Sequence, residues 1–162
     1  MNAAPKIALN AQIALLTTAI HGLVGEGLYQ GLARVALDIQ RDAQKGAPID
    51  TGNLRGSAFT VGSKRPGTAR VHRTPKPKRP APEPQALENA VKEGKAFTSS
   101  RQGPIVVTGF GATYAEVVHE GDPARSWHKG APQFMTKAVE MNIPRAKLVI
   151  EAELAKHIVA TK

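Results

Sequence analysis

The chain of 162 residues contains no cysteine. That removes disulfides and thiolate-held metal from its chemistry, and nothing points to an oxidising compartment. Aromatic residues make up only 4% of the chain, while 41% of it is hydrophobic, so a core must be built from Ala, Val, Ile and Leu. No run reaches the ~18 apolar residues of a membrane span. The most apolar stretch, residues 7–24, is broken by Asn10, Gln12, Thr17 and Thr18, and Lys6 is the only charge before it. This is a poor secretory signal, and we expect a soluble, intracellular chain without membrane contact. Acids are also scarce. None lies between Gly56 and Pro82, where seven cations stand, and the chain as a whole carries a formal charge of +9. Such a balance draws a protein to polyanions but says nothing about its fold.

What is present reads as one α+β domain, residues 1–162. Ile13, Leu16, Ile20, Val24, Leu28, Leu32, Val35 and Ile39 recur at helical spacing from Pro5 to about Gln44. Gly22, Gly25, Gly27 and Gly31 sit inside that run, each costing ~1 kcal/mol against Ala in a helix. We therefore expect two helices, or one bent near Gly25: an N-terminal extension over 1–25, then a helix from Glu26 to Lys45 stopped by Gly46 and Pro48. "SAFTVGS" and "TARVHR" predict a hairpin around "KRPG", closing a segment over 26–73. Residues 74–85, "TPKPKRPAPEPQ", hold five prolines and predict an extended, mobile arm. A short helix over "PQALENAVKEG" completes that excursion, 74–102. The last segment, 103–162, predicts a strand at "GPIVVTGF", a short helix at "TYAEVVHEG" and a long C-terminal helix interrupted or kinked at Pro144. The expected architecture is helices laid on a small antiparallel sheet.

The triplet Asp50-Thr51-Gly52 raises the question of aspartic-protease chemistry. A catalytic aspartate there ends a buried strand and shares a proton with a second one; here the triplet follows a helix stop and a proline. The turn reading has its own physics, with Asp50 accepting from the N–H groups of Gly52 and Asn53 and Leu54 tucking beneath the sheet. Among other candidates, His119 and His128 flank a loop with Glu120 and Asp122, but the spacing fits no zinc pattern. His119 is better read as a loop anchor, and we expect no metal, no cofactor and no catalysis. The Gly-x-Gly of "GFGATY" lacks both the third glycine and a βαβ setting. Trp127 reads as a cover for the core edge or as an interface anchor.

Three segments together resemble a family of tailed-bacteriophage neck and tail proteins, known as head–tail joining, tail-completion or minor tail proteins. The first is "APIDTGNLRGSA", with Ala47, Pro48, Asp50, Thr51, Gly52, Leu54 and Arg55. The second is "YAEVVHEG", with Tyr114, Ala115, Val118, His119 and Gly121. The third is "APQFMTKAVE", with Pro132, Phe134, Met135 and Ala138. The resemblance covers about Ile39 to Val139; the helical N-terminus before about Gly25 and the proline-rich excursion depart from it. It implies structural work in the virion neck or tail, after assembly in the host cytoplasm. The implied assembly is a homo-oligomeric ring, a hexamer, set against head-closure and tail proteins, with DNA passing through the lumen.

The cations Lys64, Arg65, Arg70, Arg73, Lys76, Lys78 and Arg79 form an acid-free track. It suits an acidic groove on a neighbouring protein, or the phosphates of DNA, or plain solvation. Without stacking aromatics it offers no sequence-specific readout. The alternative to a neck protein is thus a small basic nucleic-acid-binding protein without sequence specificity.

Overall fold

The apolar stripe that begins the chain folds as one helix, α1 (Ala4–Gly46), and is not divided at Gly25. The structure, a computed structural model, describes residues 4–48, 53–65, 67–73, 84–100, 102–121 and 130–159, with side chains from residue 24 onward except at Arg73. Two of the glycines read as helix breakers instead serve a contact. A Cβ at Gly31 would come within 2.7 Å of the Ile150 Cα, and one at Gly27 within 3.0 Å of the Leu154 Cα. These positions let the C-terminal helix, α5 (Phe134–Val159), settle antiparallel onto α1 almost backbone to backbone. The propensity lost at each glycine is offset by the close packing that a side chain there would prevent.

α5 runs through Pro144 without the interruption that proline suggests. Proline removes the donor to the carbonyl of Glu140, but both residues lie on an exposed face, where a freed carbonyl is open to solvent and the lost bond costs least.

The sheet holds β1 (Ala58–Ser63), β2 (Arg70–Arg73) and β3 (Ile105–Phe110) in the order β2–β1–β3, all antiparallel. β1 and β2 form the expected hairpin, with a register irregularity between Thr60 and Val61. β1 is buried at every residue, because helices cover both of its faces. On one side α3 (Pro84–Ser99) sets Gly94 against Val61 and Phe59; on the other, α1 brings Tyr29 against Gly62. A strand covered on both faces has no polar-out alternation to display. Its inward hydroxyl is satisfied locally, since Thr60 Oγ1 lies 3.1 Å from Gln40 Oε1 and 2.9 Å from Thr108 Oγ1. The layers are therefore α5, α1, sheet and α3, which is the α+β architecture expected. α3 is longer than the short helix expected over 84–94, and the proline-rich residues 74–83 lie outside the described part. Among the described residues, no helix is long and apolar enough to cross a membrane.

Candidate functional site

The three motif segments converge at one end of the α1–α5 pair. α1 ends there at Gly46, followed by a single helical turn, α2 (Asn53–Gly56), and later by α4 (Ala115–His119) just before α5 begins. Ala43, Ala47, Leu54, Ala112, Phe134 and Ala138 are buried together, with Ile39, Phe110, Tyr114, Ala115, Val118 and Met135 packed around them. Leu54 is buried, but in a cluster drawn chiefly from the helix ends and Phe134, with Phe110 of β3 at its periphery, rather than beneath the sheet.

Phe134 holds the centre. The Phe110 ring meets it edge-on at 5.1 Å and the His119 ring at 5.0 Å. Aromatic pairs favour this geometry because the positive edge of one ring faces the negative face of the other. Pro132 beside it is fully buried. Gly130 has φ +83°, and a Cβ there would strike the Ala47 carbonyl at 2.5 Å. Only glycine lets the chain turn left-handed so close to the end of α1. The Ala131 N–H then donates to the Gly46 carbonyl at 3.0 Å, and the Gln133 N–H to the His119 carbonyl at 2.8 Å.

Arg55 finishes the end of α1. Its Nη2 donates to the carbonyls of Lys45 and Ala47, each at 2.8 Å, and its Nε to Ala47 at 3.0 Å. The last carbonyls of a helix lack intrahelical donors, and a rigid guanidinium fork supplies two of them together. Gln44 Nε2 returns a bond to the Arg55 carbonyl at 2.7 Å. Arg55→Ala is expected to cost ~1–3 kcal/mol by stranding these acceptors. Arg55→Lys should recover only part, because one ammonium cannot span both carbonyls. Thermal melts check this, at ~2–4 °C per kcal/mol for a chain of this size; an unchanged midpoint would mean that water replaces the guanidinium.

His119 Nε2 lies 3.3 Å from Thr136 Oγ1 at the start of α5. Its Nδ1 is buried and finds no partner among the described residues. Tyr114 lies at the cluster edge, and α4 closes at Glu120, just before Gly121. Asp50, Thr51, Gly52, Asp122, Trp127 and His128 lie outside the described residues, so the turn clasp and the His119–His128 pairing are not on view. Among the described residues no group of three or more His, Asp or Glu is placed to hold a metal. An open cavity of about 460 Å³ lies against the joint, lined by Asp42, Lys45, Gly46, Phe134, Lys137 and Met141 among others. Its one carboxylate is already engaged. Asn142 Nδ2 donates to Asp42 at 3.1 Å, and this bond, with Lys45 and Arg41 beside it, holds the carboxyl below its ordinary pKa despite burial.

A second cluster was not legible from the sequence. Tyr29 is fully buried in α1, with its hydroxyl 2.6 Å from His72 Nε2 on β2. Arg70 Nε donates to that hydroxyl at 3.2 Å and its guanidinium stands 5.1 Å from the ring centre. Lys64 Nζ lies 5.5 Å from the same ring and pairs with Glu26. Burial, and then Arg70, pushes the His72 pKa down. Lys64, half-buried, and Arg70, itself exposed, thus reach across to Tyr29 of α1, and Arg65 is exposed as well. The side chain of Arg73, and Lys76, Lys78 and Arg79, lie outside the described part. A tyrosine on a helix stripe is the one signal that was available, since a buried phenol needs a partner.

Comparison with protein families, curated proteins and solved structures found no match to this chain.

Proposed function

We propose that this chain is a structural subunit of a tailed-phage or prophage neck, a ring-forming tail-completion component that joins the head connector to the tail around the DNA channel. The observation that carries this reading is the convergence of the three motif segments, spread from Ala47 to Ala138, into one packed joint. In that joint the polar members spend their bonds on backbone and neighbours: Arg55 on the end of α1, His119 on the start of α5. A joint of this kind fixes two long helices to each other, which suits a part that passes load between neighbours. The subunit would form a hexameric ring against head-closure and tail proteins, in the host cytoplasm first and then in the virion. Its proline-rich cations would face those neighbours or the DNA. Images of the purified protein and of particles, with a native mass, test the reading: rings and a place in the neck are expected, whereas a strict monomer absent from particles would overturn it.

The alternative, a basic nucleic-acid-binding protein without sequence specificity, draws on the acid-free track. Against it, two of the seven cations are committed to Tyr29 and Glu26. A salt titration separates the two, since phosphate binding weakens with a log–log slope of about −0.9 per contact on duplex DNA.

A further inference from the structure

We propose that the protein assembles head to tail through two apolar stripes of its own: residues 4–21 of α1 in one copy lie along the outer face of α5 in the next. This deepens the ring reading and rests on it only for closure of the chain of contacts into a ring.

The donor stripe follows from the register of the helix pair. Gly27 faces Leu154 and Gly31 faces Ile150, so Val159, the last residue of α5, stands level with position 22 of α1. Residues 4–21 continue past it as helix, for ~26 Å at 1.5 Å per residue. In sequence, Leu9, Ile13, Leu16 and Ile20 stand on the same helical face as Gly27 and Gly31. The side of α1 that α5 covers thus continues apolar where α5 has ended.

The acceptor stripe is on α5. Met141, Pro144, Leu148, Ala152, Ala155 and Val159 follow one another at spacings of three and four on the face turned from α1, and all are exposed. Leu148 is 67% and Val159 70% exposed. An amphipathic helix on a protein surface carries polar residues on that side, so an apolar one marks a contact face.

The occupant is a second copy, for three reasons. Met141 to Val159 spans ~27 Å by the same helical rise, equal to the length of the overhang, and both stripes repeat at the same spacing. The overhang holds a single charge, Lys6, so against the mixed charges flanking the stripe on α5 (Glu140, Arg145, Lys147, Glu151 and Lys156) its one like-charge neighbour at that end is Lys156, whose ammonium is already paired with Glu153. An antiparallel fit also sets Lys6 at the C-terminal end of α5, where a cation is favoured. A helix pair of this length approaches the ~1,200 Å² at the low end of specific interfaces, and head-to-tail repetition gives each copy two. A two-fold pairing of overhangs would leave the α5 stripe bare. Within one copy the stripes cannot meet, because the acceptor faces away from α1. A heterologous contact of this kind closes into a ring when its rotation permits.

The test uses the full chain and native mass spectrometry, with circular dichroism as the folding control. The wild type is expected to be oligomeric. Ile13→Glu with Leu16→Glu removes the donor, and Met141→Glu with Leu148→Glu removes the acceptor; each is expected to give a folded monomer. Mixed in equal amounts, the two variants retain one competent contact between them, so a heterodimer and nothing larger is expected. Should the glutamates lower helicity, Gln at the same positions carries the same expectation. If either variant keeps the wild-type mass, the stripe assignment is wrong while a ring through another surface survives. If the mixture yields no heterodimer, the head-to-tail order is wrong. A wild type that stays monomeric at every concentration removes this inference and the ring reading together.

Discussion

Phe134→Ala should lower stability by ~3–5 kcal/mol, the range for removing a buried aromatic ring, and the thermal midpoint by roughly 6–20 °C. The ring is 3% exposed and stands where α1, β3, α4 and α5 meet. What surrounds it decides the size of the effect. Ala43, Ala47, Ala112 and Ala138 are short side chains on backbone already fixed by the joint, so little can move into the space left behind. The cavity term is then added to the lost transfer term. The edge contacts to Phe110 and His119 go as well, and α5 loses its first buried residue. Phe134→Leu should cost distinctly less, because it keeps most of the volume. Chemical denaturation of both variants checks this, and a loss below ~1.5 kcal/mol for the alanine would mean that the joint collapses readily around the vacancy.

Gly31→Val is expected to destabilise the protein by ~1–3 kcal/mol or more through overpacking, although glycine is the worse helix former. Its Cβ would meet the Ile150 Cα at 2.7 Å. Backbone cannot step aside as a side-chain tip can, so α5 must lift from α1 along much of their shared length. Gly31→Ala should destabilise in the same direction by less. Gly25 is the control: among the described residues nothing lies within 4 Å of a Cβ there, and Gly25→Ala should stabilise by up to ~1 kcal/mol. One chemical change with opposite signs at two places on one helix is a sharp result to measure by urea midpoints. If Gly31→Ala raised stability as Gly25→Ala does, the close approach of the helices would be wrong.

The joint was partly visible before folding. Leu54, Phe134 and Ala138 stood out as motif residues, and His119 as an anchor. That Arg55 would cap α1 was not visible, because the carbonyls it serves are backbone atoms with no signature in sequence. Glycine misled for a related reason. The propensity cost of Gly27 and Gly31 is local and can be read from the chain, whereas the benefit is a contact with residues more than a hundred positions away. Tyr29 and His72 met the same obstacle, since only the hairpin register brings β2 to α1.

Local rules were therefore enough for whatever depends on neighbours along the chain: helical stripes, the hairpin, the strand at Ile105–Phe110 and the α+β class. Tertiary structure alone decided which glycines would be contacts, that two cations would gather at a buried phenol, and that the last helix would present an apolar stripe on its outer face. The reason is that periodicity states which residues share a side of an element, while only packing determines whether that side is covered.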